Sequence, residues 1–213
     1  MSKEIAQLKE GYKKFHQKYF NDKNKTFDNL IRRGQQPKIL IISCCDSRVD
    51  PSIILGCEPG DLFVVRNVAN LVPPFENFSS YHGTSAAIEF AVTGLGIQDI
   101  IILGHSYCGG IRALLENAEA VKKEGYVSKW MELAAPAREQ TIELHSNCTL
   151  DQQADICTHY ALINSLNNLM TFPWLKERVE AKQLDLHAWY FDLSTGLIDV
   201  LNQEMSVFET MEI

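Results

Sequence analysis

Ile39-Leu40-Ile41-Ile42-Ser43-Cys44-Cys45-Asp46-Ser47-Arg48 is a short apolar run that stops abruptly and delivers a thiol, a carboxylate and a guanidinium. An apolar run of this length bounded by polar residues reads as a strand buried on both faces. The pattern returns at Ile100-Ile101-Ile102-Leu103-Gly104, which delivers His105 and Cys108. Between the two, Pro51 opens a short helix, Glu58-Pro59-Gly60-Asp61 makes a turn, and Leu62-Phe63-Val64-Val65 forms another strand. Leu71 to His82 is an irregular loop, and Gly83-Thr84 opens a helix through Gly94 that Thr84 or Ser85 can cap. Strand, helix, strand, helix, strand predicts an α/β fold with a central, mostly parallel sheet flanked by helices.

Toward the N-terminus, Ile5, Leu8, Tyr12, Phe15 and Tyr19 form the stripe of an amphipathic helix, which must bury one face on its own domain or on a second subunit. Thr26 to Arg33 is a second helix, ended by Gly34 and Pro37. Toward the C-terminus, helical stretches cover Ile111 to Lys123, Trp130 to His145 and Asp155 to Met170, and Pro173 marks a boundary. Leu186 to Asp192 and Leu197 to Leu201 read as a strand and hairpin at the sheet edge. The domain organisation expected is an N-terminal helical arm, 1–33, and one α/β domain, 34–213.

With 213 residues the chain can build one sizeable core. A net charge of -7 and a pI near 5.4 argue against nucleic-acid binding and favour a small-molecule partner. The first twenty residues lack the apolar core of an export signal, and no run is long enough for a membrane span. The six cysteines therefore read as reduced thiols, and the cytoplasm is the expected compartment.

Ligands of open parallel sheets bind beyond the carboxyl ends of the strands, where Cys44 and Asp46 follow one end and His105 and Cys108 another. In His105-x-x-Cys108-Gly109-Gly110 the glycines let the backbone bend closely around the ligands. Two thiolates and an imidazole suit zinc, and three protein ligands suggest a catalytic site with a fourth position for water. Asp46 is the complication, because it can compete for that position. Held by Arg48 it can accept a hydrogen bond from the water; released, it can ligate the metal and close the site.

Cys44-Cys45-Asp46-Ser47-Arg48 and Gly104-His105-Ser106-Tyr107-Cys108-Gly109-Gly110 resemble the C-x-D-S-R and G-H-x-x-C-G-G motifs of β-class carbonic anhydrases. The text from Gly60 to Pro74 and from Gly83 to Glu89 is similar to the plant-like, type I branch of that family. The resemblance implies reversible hydration of carbon dioxide to bicarbonate and a proton, by hydroxide on one zinc per subunit held by Cys44, His105 and Cys108. It implies Asp46 and Arg48 as catalytic residues, with activity rising with pH, and a homodimer or homotetramer in which the N-terminal arm packs on a partner. It further implies that Gln35 reaches a neighbour's substrate pocket and that Phe63, Val68 and Phe90 line the pocket. Phe90 stands where the branch commonly has Tyr, which puts proton handling there in doubt; Ile41 replaces the Trp of the bicarbonate-inhibited branch, although Arg66 remains. Alternatives are hydrolysis of carbonyl sulfide or carbon disulfide, and a non-catalytic zinc or bicarbonate-sensing module.

Other candidates favour plainer readings. His145-x-x-Cys148 and Cys157-x-His159 could form a second metal site but follow no strand and have no Gly-Gly turn. Cys45 and Cys57 read as packing residues, and His16, His82 and His187 as surface or satisfied core.

Overall fold

The computed structural model describes residues 2–21, 23–76, 82–116 and 124–212. Strands β1 (Ile39–Cys44), β2 (Leu62–Asn67), β3 (Asp99–His105), β4 (Asp185–Phe191), β5 (Ile198–Asn202) and β6 (Val207–Thr210) form one sheet in the order β2-β1-β3-β4-β5-β6. The first four in that order are mutually parallel, and β5 and β6 are antiparallel additions. The apolar runs of β1 and β3 make them interior: Leu40, Ile42, Ile100 and Ile102 are fully buried, with Ile41 and Ile101 packed on the opposite face. The expected C-terminal hairpin is present between β4 and β5, yet β4 is an interior strand and β6 takes the edge. β6 escapes a reading by pattern because it is short and mostly exposed.

The helices are α1 (Lys3–Tyr19), α2 (Thr26–Arg33), α3 (Pro51–Ile54), α4 (Gly83–Glu89), α5 (Gly109–Leu115), α6 (Tyr126–Met131), α7 (Ala135–His145), α8 (Leu150–Leu169) and α9 (Pro173–Glu180). None among the described residues is long and apolar enough to cross a membrane. α4 passes into a π-helical turn, Phe90–Leu95. Its cap is His82 with no side-chain bond, a correction to the expected Thr84 or Ser85; Thr84 Oγ1 instead accepts from Asn67 Nδ2 at 3.3 Å. Of the helix expected over Ile111 to Lys123, α5 supplies the part to Leu115, and 117–123 lie outside the described residues. The stretch expected from Trp130 to His145 is broken by a 3-10 turn at Glu132–Ala134, after which Pro136, lacking an N–H, sits in the first turn of α7. The loop expected over Leu71 to His82 is irregular at 71–76, and 77–81 lie outside the described residues.

α8 packs along β3 and β4. Its start precedes the expected Asp155 because Thr149 and Gln152 form a reciprocal capping box, each side chain accepting from the other's backbone N–H.

No residue of α1 is buried. Ile5, Leu8, Tyr12 and Phe15 are 46%, 69%, 64% and 38% exposed, so most of the stripe is open, while its end, Phe15 and Tyr19, packs on the Phe27 ring of α2. The helix is tied to the domain mainly at its end, where Lys18 Nζ lies 2.8 Å from Glu58 Oε1 and the Tyr19 hydroxyl donates to Glu58 Oε2.

Candidate metal centre

Cys44 ends β1 and His105 ends β3, and because these strands are parallel neighbours, both side chains leave the same edge of the sheet. Cys108 is the residue before α5. The three ligand atoms lie within 4.8 Å of one another and all three residues are buried. Among the described residues this is the one such group. His105 Nδ1 donates to the Ser106 carbonyl at 2.7 Å, which fixes the tautomer and leaves Nε2 as an acceptor. That Nε2 is buried without a hydrogen-bond partner. An orphaned imidazole nitrogen converging with two sulfurs fits a soft divalent cation, zinc above all. A hydrogen bond between the sulfurs holds Cys44 below the usual thiol range, and the same bond with burial pushes Cys108 up, so the pair keeps a proton that a cation would displace.

Beside this group stands Asp46, with both oxygens engaged by the Arg48 guanidinium. The Arg48 backbone N–H adds a third bond to Oδ1 at 3.0 Å. The side-chain bond to Arg48 holds the Asp46 carboxyl well below the usual carboxylate range. Arg66 was missed as a builder of this site. Its Nε donates to the Cys44 carbonyl at 2.9 Å, its Nη2 to the Asp46 carbonyl at 2.7 Å and its Nη1 to Asp50 Oδ2 at 3.0 Å. All its nitrogens thus serve the loop that carries Cys44 and Asp46.

Gly104 and Gly110 of the second motif act through space, not through backbone bending. A Cβ on Gly104 would lie 3.0 Å from Thr158 Cγ2 and 3.1 Å from Leu162 Cδ1, because α8 crosses the strand there. On Gly110 it would lie 3.0 Å from Val68 Cγ1 and 3.3 Å from Ala69 Cβ and Met131 Sδ, whereas on Gly109 it would meet nothing within 4 Å. The residue in the left-handed region is Tyr107, at φ 56.

The remaining candidates fall in different places. Phe63 and Phe90 face each other with ring centroids 5.9 Å apart, and Phe90 is half-exposed. Val68 is partly exposed and packs toward Gly110, two residues after Cys108. Gln35 is exposed in the segment between α2 and β1. Cys45 is exposed, so packing does not account for it, while Cys57 donates to the Leu55 carbonyl. His145 bonds Tyr160 at 3.1 Å, and His159 sits between the rings of Tyr190 and Phe208. His187 pairs with Asp99 at 2.9 Å.

A family model described as carbonic anhydrase matches residues 39–198. Beta carbonic anhydrase 5, chloroplastic, of Arabidopsis thaliana is 38% identical over 87% of this chain, which spans 60% of that relative's length. Among solved structures, the β-carbonic anhydrase CcaA superposes with a TM-score of 0.91 at 32% identity, over 100% of this chain and 94% of that one. A structure from a report on two tetrameric β-carbonic anhydrases of Sordaria macrospora superposes with a TM-score of 0.73 at 29% identity, over 93% of this chain and 94% of that one.

Proposed function

Since the chain belongs to the β-class carbonic anhydrase family, we propose that it catalyses the reversible hydration of carbon dioxide to bicarbonate with one zinc ion on Cys44, His105 and Cys108. The observation that carries this reading is the orphaned His105 Nε2 converging with two sulfurs beside an arginine-locked carboxylate. Zinc, when bound, supplies Lewis-acid chemistry that makes water acidic near neutral pH.

The chain's own residues supply position and exclusion. Asp46, its carboxylate engaged by Arg48, has lone-pair capacity left on Oδ2 for one donor and so orients the attacking water without entering the metal's coordination. Arg48 also donates to the Tyr107 carbonyl at 3.1 Å, tying this dyad to the turn that carries His105 and Cys108. Val68, Phe63 and Phe90 offer apolar surface suited to a substrate with no net dipole. Gln35, exposed in one chain, is assigned to a partner's pocket, and the open part of the α1 stripe is assigned to the same partner. Burying the exposed Ile5, Leu8 and Tyr12 would favour association with that partner.

Stopped-flow measurement on the purified, zinc-loaded protein tests the reading. CO2 hydration that rises from pH 7 to pH 9 is expected. Its absence at both pH values overturns the proposal, and faster turnover of carbonyl sulfide than of CO2 transfers the site to that substrate.

A further inference from the structure

We propose that Asp192, in the loop between β4 and β5, is a positioning residue for the metal ligand His105, acting through the buried hydroxyl of Ser106. The inference rests on His105 being a metal ligand.

Among the described residues, the one hydrogen bond of the His105 ring runs from Nδ1 to the Ser106 carbonyl. Whatever fixes the Ser106 peptide therefore fixes the acceptor that sets the tautomer and helps to orient the imidazole. Ser106 is 3% exposed, and three bonds hold it, all to the last residue of β4 and the two that follow it. Its N–H donates to the Phe191 carbonyl at 3.0 Å, and its Oγ accepts from the Leu193 N–H at 2.8 Å and donates to Asp192 Oδ1 at 3.3 Å. A hydroxyl can accept from Leu193 in a fixed orientation only if its own proton is directed elsewhere, and Asp192 provides that acceptor. The neighbouring Tyr190 hydroxyl donates its own proton to Asp155 Oδ1 at 2.7 Å, and its oxygen is a second acceptor within reach of Ser106.

Asp192 is itself held. Ser194 N–H donates to Oδ1 at 2.7 Å and Thr195 Oγ1 to Oδ2 at 3.0 Å. The Gly196 N–H closes the loop onto the Asp192 carbonyl at 2.8 Å. Ser194 Oγ also donates to the Tyr107 hydroxyl at 3.2 Å, a second tie to the same turn. The loop from Phe191 to Gly196 thus grips the Ser106-Tyr107 turn through backbone and side chain together. Outer partners of this kind keep a metal-binding imidazole in the correct tautomer and orientation, and losing one typically costs 10–100-fold in metal affinity or activity.

The test compares zinc release to excess chelator from wild type, Asp192→Ala, Asp192→Asn, Ser106→Ala, the Asp192→Ala/Ser106→Ala double variant, and the remote control Thr210→Ala. Release is expected to be about 10–100-fold faster in Asp192→Ala and Ser106→Ala. Asp192→Asn should be slower to release than Asp192→Ala, because its Oδ1 can still accept. The double variant should release no faster than the faster single variant, as two links of one path require, and Thr210→Ala should match wild type. The His105 Nδ1–H resonance should exchange faster in the fast-releasing variants while the melting temperature of each metal-free protein stays near wild type, a pattern that a general loss of stability would not give. Should Asp192→Ala fail to fold, Ser106→Ala and Asp192→Asn carry the test. Unchanged release and unchanged Nδ1–H exchange overturn this inference alone; wild type that retains no zinc overturns the metal reading beneath it.

Discussion

Arg48 grips Asp46 through both carboxylate oxygens, Nε to Oδ1 at 2.9 Å and Nη2 to Oδ2 at 2.7 Å. Arg48→Ala leaves that carboxylate free to turn toward Cys44 and His105. The expected result is full zinc content, an added oxygen ligand in X-ray absorption, and a loss of CO2 hydration on the order of 10²-fold or more. Asp46→Asn should also keep zinc and lose activity by a similar factor. Unchanged turnover in Asp46→Asn would remove Asp46 from the mechanism.

Cys108 is buried and supplies one of only two sulfurs in the group. Cys108→Ser exchanges a soft ligand for a poor one, so the purified variant should hold little zinc by elemental analysis. A full complement of metal would contradict the ligand assignment.

Gly109 and Gly110 should respond unequally to alanine. At Gly110 the added methyl meets Val68, Ala69 and Met131, and repacking should cost about 1–3 kcal/mol in urea unfolding. At Gly109 there is open space, and the change should lie within about 0.5 kcal/mol. Equal effects at the two positions would refute the packing account.

His159 lies 4.2 Å from the Phe208 ring and 4.4 Å from the Tyr190 ring, with its Nε2 unpartnered. Burial pushes it down to about 4 from the ordinary 6.5. Below pH 6.5 the unfolded chain binds a proton that the folded chain refuses until about pH 4. Stability from this group is therefore fully present above pH 6.5 and is lost as pH falls toward 4, up to about 3 kcal/mol. Urea unfolding across that window should show the loss, and His159→Leu should flatten it; an unaltered slope would assign the effect elsewhere.

Removing residues 1–24 takes away a helix with no buried side chain. The remaining domain should keep its far-ultraviolet spectrum but fall to a smaller species in size-exclusion chromatography with light scattering, with reduced turnover. A truncated monomer of full activity would show that neither the arm nor a partner serves the site.

The central strands and the convergence of Cys44, His105 and Cys108 were legible because each rests on a local signal. Four apolar residues with an abrupt polar end specify β1 and β3, and Cys44, His105 and Cys108 are residue types with few reasons to converge except a metal. What escaped depends on distance or shape. Ser106 and Asp192 are ordinary residues that meet only because β3 pairs with β4. The grip of Arg66 on two carbonyls follows from a loop path that residue type does not encode. Gly109-Gly110 reads as a backbone bend because the space around Gly110 is invisible in sequence. The start of α8 was the avoidable miss, since Thr149 and Gln152 carry a capping signal of their own.

Cys44 and His105 terminate β1 and β3, neighbours in the sheet but separated in the chain by β2 and α4. Parallel, non-local pairs of this sort form slowly, because loop closure precedes any reward from contact. Until β1 has docked on β3 the sulfur and the imidazole stay apart, and the chain can offer only weak, piecemeal ligation. Metal uptake by the proposed site would therefore be a stopwatch for topology: in refolding, the appearance of cobalt–thiolate absorption would time the closing of one particular strand pair.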